Sequence, residues 1–297
     1  MLSSLLLLIA LCSPAELFHA TTPLVTGADD QYVFVTGFDG VLWRIDRASG
    51  GNVPIAFEPV PIGELSSDGT TVWLVTQGQI RAVPVNGGAS RFVANGTRPR
   101  SDGQYVYWIA DGRVQRMRID GGAIEDVAAG SWSDLALTSD AVYLLGNGEV
   151  ARAAKTGGEL TPLLFASPDL RSFVRNADGT IGAVTVRDTG RSTVIELVQF
   201  DPLRTTTKTV NRSLRLATAG AIITADQRTF VVVGGQSGAF SVFGELIGEY
   251  ADGSEWHSET GLVSLIAAGD DGIYVLKRGG DMVIERLCAP AVRRRRF

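Results

Sequence analysis

One short phrase recurs along this chain, and a recurring unit of this size restricts the folds open to it. Residues 67–88 have the sequence SDGTTVWLVTQGQIRAVPVNGG, and residues 101–122 have the sequence SDGQYVYWIADGRVQRMRIDGG. Looser copies precede and follow them, each beginning near an aspartate. The marker aspartates are Asp30, Asp68, Asp102, Asp140, Asp178, Asp226 and Asp271. Their spacing of 34 to 48 residues is too short for separate domains and is typical of repeats that pack against one another.

Each segment of a copy is typical of a β-strand or of a tight turn. After the Asp-Gly turn, residues 105–109 form a run of β-branched and aromatic residues, which favours a strand. Residues 114–119 form a second strand-like stretch, and the Asp-Gly-Gly sequence at 120–122 suits a hairpin turn that needs positive φ. A short strand at 124–127 and another just before the next marker complete the unit. The repeat therefore predicts units of four strands.

A single four-stranded unit leaves an apolar face exposed to water, whereas a closed ring of such units buries both faces of each sheet. We therefore predict an all-β protein, a β-propeller with seven four-stranded blades, one for each marker. Six or eight blades are the alternatives, because the copies that begin at Asp178 and Asp226 match the phrase poorly. A stack that never closes is a further alternative.

The copies resemble those of secreted YWTD-type and related bacterial propellers. The resemblance depends on Tyr-Trp at 107–108, Val-x-Arg at 114–116 and Asp-Gly-Gly at 120–122. It departs from the family at 109–110, where Ile-Ala stands in place of Thr-Asp, and it is clear over residues 29–164. The resemblance implies a propeller in an extracytoplasmic setting. It also implies a binding role, and no catalytic residue carries over from it.

The N-terminal segment has the features of an export signal. An apolar run at residues 5–11 is followed by Ser-Pro-Ala at 13–15. The run has the length of a signal-peptide core and is too short to span a bilayer as a helix. We predict a signal peptide at residues 1–20, cleaved after Ala15 or Ala20, and hence a secreted or periplasmic protein. A buried N-terminal strand is the alternative interpretation.

The rest of the chain, residues 21–297, is predicted to be a single propeller domain that ends in a basic tail at 293–297. A solvated terminus explains such a tail, and contact with anionic surface polymers is the alternative. Removal of the signal takes Cys12 away and leaves Cys288 as an unpaired thiol, so we expect no disulfide framework. Lipid attachment at Cys12 is disfavoured, because the leucine before it is too large for the usual lipoprotein cleavage site.

Composition excludes several classes of function. The chain has a net charge of −5 and two histidines. The negative charge gives no support for nucleic-acid binding, and the shortage of His and Cys excludes zinc, copper or iron sites built from several such ligands. We predict no cofactor and no metal. Calcium at the marker aspartates is the alternative, but an aspartate before glycine in a tight turn commonly accepts hydrogen bonds from its own backbone.

Two further residue types recur in register with the phrase. The recurring arginines are Arg44, Arg116 and Arg152, and the recurring aromatic residues are Trp43, Trp73, Trp108 and Tyr143. A role that is repeated in every unit is a scaffold role more often than a unique site. We therefore expect the arginines to bind neighbouring blades and the aromatic residues to fill the core.

The repeat is broken at residues 244–261, an acidic and aromatic segment, and at residues 203–213, which are basic and rich in threonine. We interpret both as long connections. Insertions in repeat proteins cluster on the working face, and loops on a rigid scaffold often carry binding residues. A partner is therefore expected at the channel mouth, near the inner strands, where Arg100, Asp134 and Arg171 also stand. The predicted binding residues are Tyr250, Asp252, Glu255, Trp256, His257, Arg98 and Arg175. A solvated loop without a ligand is the alternative.

Together these features predict a bacterial, extracytoplasmic and monomeric propeller that binds a ligand or a protein, with a protein or carbohydrate as partner and no transmembrane segment. The alternative is a hydrolase, lactonase or lyase at the channel mouth, with Asp252 and Glu255 as carboxylates and His257 as acid or base. Such a site needs inward-facing carboxylates from several blades, and the sequence supplies Asp134 and little else. A structural envelope protein is the third hypothesis.

Overall fold

A computed structural model of the chain consists of strands joined by turns, and it contains no helix in the residues that it describes. The described residues are 14–22, 24–164, 170–175, 181–188, 193–201, 204–214, 218–225, 228–236, 242–249, 255–257, 262–269, 272–278 and 281–288. Side chains are described at 14–22, 24–163, 266, 272–277 and 281–288. Within these ranges no helix is long and apolar enough to cross a membrane.

The strands are short in the first part of the chain and longer in the second. The first part contains β1 (Ala15–Ala20), β2 (Val25–Ala28), β3 (Tyr32–Thr36), β4 (Val41–Asp46), β5 (Asn52–Phe57), β6 (Glu64–Ser67), β7 (Thr71–Thr76), β8 (Gln79–Pro84), β9 (Arg91–Asn95), β10 (Thr97–Ser101), β11 (Tyr105–Ala110), β12 (Arg113–Arg118), β13 (Glu125–Ala129), β14 (Asp134–Leu137), β15 (Ala141–Gly146), β16 (Glu149–Ala154) and β17 (Thr161–Leu164). The second part contains β18 (Leu170–Arg175), β19 (Ile181–Asp188), β20 (Thr193–Asp201), β21 (Arg204–Leu214), β22 (Thr218–Ala225), β23 (Arg228–Gln236), β24 (Val242–Glu249), β25 (Glu255–His257), β26 (Leu262–Gly269), β27 (Gly272–Arg278) and β28 (Met282–Leu287).

These strands form a ring of antiparallel sheets. Five sheets have four strands in chain order, β2–β5, β6–β9, β10–β13, β14–β17 and β18–β21, and an eight-stranded sheet contains β22–β28 and β1. The first strand of each repeat contacts the first strand of the next in the cyclic order β2, β6, β10, β14, β18, β22, β26 and back to β2. The prediction of an all-β ring of four-stranded repeats is confirmed, and the open stack is excluded.

The turn between the first and second strands of a repeat is built by one side chain. Asp68 and Asp102 each accept hydrogen bonds from the amides two and three residues further along the chain, at 2.8 to 3.0 Å. In the first copy this role belongs to Asp29, not to the marker Asp30. In the fourth copy the hydroxyl of Thr138 takes it, not the marker aspartate two residues later. The scaffold interpretation of these turns is confirmed, with the register corrected in two copies.

The residue five positions after each turn-forming side chain is aromatic and fully buried. These residues are Phe34, Trp73, Tyr107 and Tyr143. Trp73 Nε1 donates to Asp68 Oδ2 at 3.0 Å, and the Tyr107 hydroxyl donates to Asp102 Oδ2 at 3.3 Å. Burial, and then the charge of Asp102, raises the pKa of Tyr107 to about 12, so the phenol keeps the proton that it donates. One carboxylate thus closes the turn and positions the core side chain.

The hydrophobic core lies between neighbouring sheets. Trp73 of β7 and Trp108 of β11 belong to one buried cluster, although they come from different sheets. Trp43 is half-buried, and its ring centroid lies 5.7 Å from that of Phe18. The recurring aromatic residues are therefore core residues, as the sequence predicts. Because each sheet buries its apolar face against the next, a single repeat has no core of its own.

Polar contacts reinforce the same junctions. The Ser67 hydroxyl donates to Asp29 Oδ2 at 2.6 Å, and Ser101 hydrogen-bonds in the same way to Asp68 in the preceding repeat. A serine at the end of one first strand is thereby tied to the turn of the repeat before it. The link is local in sequence, since it joins residues of consecutive copies.

The recurring arginines also join neighbouring repeats, in two of the three cases. Arg44 donates to the carbonyl of Val85 at 3.0 Å, and Arg116 donates to the carbonyl of Lys155 at 2.8 Å. Arg152 instead binds a carboxylate of its own sheet at 2.6 Å. The expected scaffold role is confirmed for the first two residues.

The eight-stranded sheet includes the N-terminal strand. β1 pairs with β28 in antiparallel register along its length. Leu17 is buried in a cluster that also contains Tyr274 of β27, and His19 Nε2 lies 3.1 Å from Asp281 Oδ2. These residues match the alternative interpretation of the N-terminus, a buried strand, and cleavage after Ala20 removes that strand. Export of the chain stays a prediction.

Cys288 directly follows β28 and is disulfide-bonded. This finding corrects the expectation of an unpaired thiol at that position. The chain contains one other cysteine, Cys12, which lies outside the described residues. A bridge formed within one molecule therefore requires a mature chain that retains Cys12.

Two segments that the sequence analysis interprets as connections contain strands. Of residues 203–213, residues 204–213 belong to β21, which pairs with β20. Within residues 244–261, the pairing of β24 with β25 brings Glu249 opposite Glu255. The described residues of both segments are therefore strands and not loops, and the threonine-rich stretch of β21 is itself typical of a strand.

Candidate functional site

The two faces of the ring present different elements. We call the face where the first strands begin the mouth face, and the face where they end the turn face. Because successive antiparallel strands alternate in direction, the mouth face also carries the turns between second and third strands and the connections between repeats. The turn face carries the marker turns and the turns between third and fourth strands.

Charged residues stand together on the mouth face at the beginning of three neighbouring first strands. Glu64 begins β6, Arg98 is the second residue of β10, and Asp134 begins β14. Each stands four residues before the turn-forming residue of its repeat. Arg100 lies on the same strand as Arg98. We call these four residues the mouth cluster; it contains two carboxylates and two guanidinium groups.

Arg98 has a strained backbone. Its φ of 57° is in the left-handed region, which costs a residue with a side chain about 1–2 kcal/mol, and the following residue is Pro99, which restricts it further. The Arg98 amide donates to Glu64 Oε2 at 2.9 Å. The neighbouring first strand therefore helps to hold this conformation, and strain of this kind is typical of positions where a side chain has to be placed for a task.

The guanidinium of Arg98 lies between two carboxylates without a close ion pair to either. Its Nε donates to the Ser133 carbonyl at 3.3 Å, and lies 3.9 Å from Asp134 Oδ1 and 4.0 Å from Glu64 Oε1. The side chain is 43% exposed. Among the residues whose side chains are described, none hydrogen-bonds to its two terminal nitrogens. A guanidinium offers five donors in a planar fork, so most of these donors remain available to a ligand.

Asp134 is the most enclosed member of the mouth cluster. Burial raises the pKa of its carboxyl above the ordinary value, the charges of Arg100 and Arg98 oppose this shift, and Glu64 adds to it. Arg100 Nη2 lies 3.7 Å from Asp134 Oδ1. The cluster is thus balanced in charge and suited to recognition of polar groups. In the part of the chain that the structure describes, no group of three or more His, Cys, Asp or Glu residues is placed to hold a metal ion.

Two aromatic side chains are exposed on the same face. Phe38, in the turn between β3 and β4, is 67% exposed, and Phe57, at the end of β5, is 64% exposed. Phe57 packs close to Gly40 in the turn that carries Phe38, and the Glu58 amide donates to the Gly40 carbonyl at 2.9 Å. We call Phe38 and Phe57 the rim aromatics. They give the mouth face an apolar surface in addition to its charged cluster.

In the part of the chain whose side chains are described, two polar depressions lie on the turn face. One, of about 440 Å³, is lined by Asp29, Asp30, Gln31, Ser67, Asp68, Gly69, Ser101, Asp102 and Gly103. The other, of about 400 Å³, is lined by Ser101, Asp102, Gln104, Leu137, Thr138, Ser139 and Lys155. The carboxylates at their centre already serve the fold, since Asp68 holds Trp73 and Asp102 binds Lys155 Nζ at 2.7 Å. The mouth face, where donors remain available, is therefore the better candidate for a site.

The structure separates the predicted binding residues. Arg98 lies at the mouth, with Arg100 and Asp134 beside it. Arg175 is the last residue of β18, at the end of a first strand that lies on the turn face, so the two predicted arginines stand at opposite ends of their strands. A role in binding stays a prediction for both.

The remaining predicted residues belong to one strand and the segment before it. Glu255, Trp256 and His257 form β25, which pairs with β24, and Tyr250 and Asp252 lie outside the described residues. Because successive antiparallel strands alternate in direction, β24 ends and β25 begins on the turn face, and the residues between them lie outside the described residues. The catalytic alternative, which depends on these residues, stays untested.

Three residues of the mouth face escape the sequence analysis. Glu64 occupies the same repeat position as Arg98 and Asp134, so aligning the copies on their turn-forming residues identifies it. Phe38 and Phe57 carry no such signal. Their exposure depends on where the second and fourth strands of the first repeat end, which the local sequence does not specify.

Comparison with solved structures finds the same architecture in proteins of low sequence identity. YCF48 bound to D1 peptide has a TM-score of 0.66 at 11% identity, over 95% of this chain and 96% of that one. BamB from Moraxella catarrhalis has a TM-score of 0.52 at 17% identity, over 90% of this chain and 85% of that one. PorZ from Porphyromonas gingivalis has a TM-score of 0.58 at 11% identity, with 93% of this chain covering 39% of PorZ. These similarities show a β-propeller fold.

Sequence comparison adds no family. No protein-family model matches the chain, and no curated protein matches it. The resemblance to YWTD-type propellers therefore stays a prediction, whereas a propeller built from repeats is shown by the structure and its neighbours.

Proposed function

We propose that this protein is an extracytoplasmic, monomeric β-propeller of seven blades that binds a segment of another protein on its mouth face. The count of seven treats the eight-stranded sheet as two blades, one made of β22–β25 and the other of β26–β28 completed by β1. Each of the strands that contact one another in the central ring then begins one blade.

The observation that carries the proposal is the state of Arg98. Its guanidinium is 43% exposed, its terminal nitrogens have no partner among the described side chains, and its backbone is held in a left-handed conformation by Glu64. An arginine kept in this way binds carboxylate or carbonyl oxygens in the plane of its fork. Both kinds of oxygen occur along a peptide.

The rim aromatics support a protein partner. Exposed aromatic side chains supply large contact areas, and residues of this type together with arginine dominate the binding energy of protein interfaces. Phe38 and Phe57 lie on the same face as Arg98, so one extended segment is able to meet an apolar and a charged contact. YCF48, which shares the fold, is a protein bound to a peptide. A carbohydrate partner is the alternative.

Two observations support an extracytoplasmic setting. Cys288 is disulfide-bonded, and structural disulfides persist mainly in oxidising compartments. PorZ, which shares the fold, is a bacterial surface component. If the bridge is intramolecular it uses Cys12, so signal cleavage after either Ala15 or Ala20 is incompatible with it. The intact mass of the exported protein under non-reducing conditions distinguishes these cases.

The experiment places a photo-crosslinking amino acid at Phe38 in the protein as expressed in its own cell. We expect a crosslink to a protein, and we expect Arg98→Ala and Phe57→Ala each to reduce its yield about tenfold or more, since truncated anchors commonly cost that much. Phe92, which is 51% exposed on β9, provides the matched control. Phe92→Ala is expected to leave the yield unchanged.

Three results would contradict the proposal. An equal loss with Phe92→Ala indicates a general effect on the fold. A crosslink that survives Arg98→Ala places the contact elsewhere. If the purified protein binds a glycan and no protein is crosslinked, the partner is a carbohydrate and not a protein.

The predicted residues near β25 define a second test of the same function. If the partner also contacts the turn face, Tyr250→Ala combined with Trp256→Ala lowers the affinity and leaves the melting temperature nearly unchanged. Because Arg98 lies on the mouth face, its variant and this double variant report on different faces. Loss of binding in the double variant alone moves the site to the β24–β25 connection.

A further inference from the structure

The outermost strand of each four-stranded sheet has one open edge, and the molecule treats these edges unequally. Unpaired edges attract other strands, so proteins keep them short or interrupt them with proline or charge. β5 and β17 contain Pro54 and Pro162 and have six and four residues, and β9 and β13 have five residues each. These four edges are poor templates for an added strand.

β21 is the exception among these outer strands. It has eleven residues and contains no proline. Over residues 204–210 it forms a continuous ladder with β20, and five of these seven residues are β-branched, which favours an extended conformation. The sheet ends at β21, and within the described ranges no strand pairs with its outer side. Among the outer strands of the four-stranded sheets, β21 therefore presents the long, regular edge.

The charge of this strand selects its partner. β21 carries Arg204, Lys208 and Arg212 and no acidic residue. Within the regular ladder Arg204 and Lys208 are an even number of positions apart, so they share one face of the sheet. Like charges opposite each other destabilise strand pairs. A second copy of this chain is thus a poor partner at this edge, whereas an acidic strand is a complementary one.

We propose that the outer edge of β21 is a second docking site, which accepts an extended acidic segment of another protein as an added strand. Main-chain hydrogen bonds supply affinity in this mode of recognition, and side chains at alternate positions supply specificity. The site lies on the outer side of the ring and uses none of the mouth cluster, so it is independent of the function proposed above.

The test uses two labelled peptides and the full chain. One is a heptapeptide of alternating Glu and Val, and the other has Lys in place of Glu. We expect the acidic peptide to bind, measured by fluorescence anisotropy, and to protect amides of residues 204–214 from hydrogen exchange. The basic peptide is expected to bind about tenfold more weakly or worse, because it places like charges opposite Arg204 and Lys208.

Two proline variants examine the edge itself. Thr206 and Thr207 are paired with consecutive residues of β20, so the amide of one donates into the ladder and that of the other faces outward. One of the two variants, Thr206→Pro or Thr207→Pro, therefore removes the amide that faces outward. We expect this variant to keep the melting temperature and to bind the acidic peptide about tenfold more weakly or worse, because the edge has lost a donor. The other lowers the melting temperature and identifies which amide belongs to the ladder.

Charge reversal gives a readout that a folding defect does not produce. Lys208→Glu is expected to weaken binding of the acidic peptide and to strengthen binding of the basic peptide. Equal affinity for the two peptides in the unaltered protein overturns the proposal, as does protection confined to residues outside 204–214. A concentration-dependent dimer with the same protection overturns it in favour of self-association. Undiminished binding in both proline variants also overturns it.

Discussion

We call the four sheets from β2 to β17 the arc, and the eight-stranded sheet that contains β1 the closing sheet. The two regions differ in how each sheet is attached to its neighbours. In the arc, each junction is made by residues of consecutive copies, such as Ser67 with Asp29 and Arg116 with the Lys155 carbonyl. In the closing sheet, β1 from the start of the chain pairs with β28 from near its end. Arg286 and Tyr274 reach across the closing junction and donate to the Arg47 carbonyl, at 2.9 and 3.1 Å.

The difference concerns how stability is distributed. Loss of one junction in the arc removes only a few contacts, and the other junctions of the arc keep contacts of the same type. Loss of β1 exposes an edge of β28 and the hydrophobic cluster that contains Leu17, and nothing in the repeat replaces it. The strand pairing that joins the beginning of the chain to β28 is therefore concentrated in six residues, Ala15–Ala20.

The largest expected effect comes from removing β1. A chain that begins at residue 21 loses the burial of Leu17, the contact of Phe18 with Trp43 and the whole ladder to β28. We expect the free energy of unfolding to fall by about 3–5 kcal/mol, since large side chains removed from a core cost this much. Urea unfolding followed by tryptophan fluorescence measures it. A chain that begins at residue 14 is the control, and equal stability of the two shortened chains would show that β1 does not close the ring.

A smaller effect is expected at a tight junction of the arc. Gly96 has a φ of 148°, and a Cβ there would lie 2.5 Å from Trp108 Cδ1 and 2.7 Å from the Ile109 carbonyl. Gly96→Ala should cost about 2–3 kcal/mol through overpacking and strain. Gly103 has a φ of 85° with no atom within 4 Å of its added Cβ, so Gly103→Ala should cost only the strain, about 1 kcal/mol. Calorimetry that ranks the two variants in the opposite order contradicts this account.

The sequence predicts the arc better than the closure, for a physical reason. In the arc the turn-forming side chain, the amides that it binds and the aromatic residue five positions later lie within one copy, so local spacing contains the information. Local spacing does not show, however, that Asp29 and not Asp30 forms the turn of the first copy. The sequence offers β1 only as an alternative interpretation of the N-terminal segment, because its partner, β28, is far away in sequence. The sequence does not predict β21 and β24, because the copies that contain them lack the Asp-Gly-Gly turn.

The sequence predicts the mouth cluster in part. Arg98, Arg100 and Asp134 are predictable from their distance to the turns, because a strand of known length places them at its beginning. The strained φ of Arg98 is not predictable, since it depends on the hydrogen bond that the Arg98 amide donates to Glu64 on the first strand of the preceding repeat. The exposure of Phe38 and Phe57 depends likewise on tertiary structure.

Acid should weaken the arc through its turn carboxylates. Burial raises the pKa of Asp102, but hydrogen bonds from Lys155 and from the amides of Tyr105 and Gln104 outweigh it, and the net pKa is below 3.8. A carboxyl with a lowered pKa in the folded state stabilises the protein above its unfolded pKa and loses this contribution as the pH falls through the folded value. Stability should therefore decline as the pH drops below about 4.

The decline is measured by urea unfolding at a series of pH values. Asp102→Asn should lower stability at neutral pH by about 1–2 kcal/mol, because it removes a charged hydrogen bond, and should flatten the acid decline. Asp134→Asn is the matched comparison. The pKa of Asp134 is raised and its protonation favours the folded state, so this variant should raise stability at neutral pH and steepen the acid decline. Identical slopes for the two variants contradict the assignment.

The smallest stability effect, and the one that separates fold from function, is expected at Arg98. Arg98→Gly removes the side chain and relieves the left-handed backbone, which glycine adopts readily. Its stability should equal that of the unaltered protein or exceed it by about 0.5–1 kcal/mol, while the crosslink at Phe38 is lost. Arg98→Ala keeps the strain and should lose the same crosslink at slightly lower stability. If Arg98→Gly is instead destabilised as much as Gly96→Ala, then Arg98 serves a junction of the arc, and the mouth cluster belongs to the scaffold.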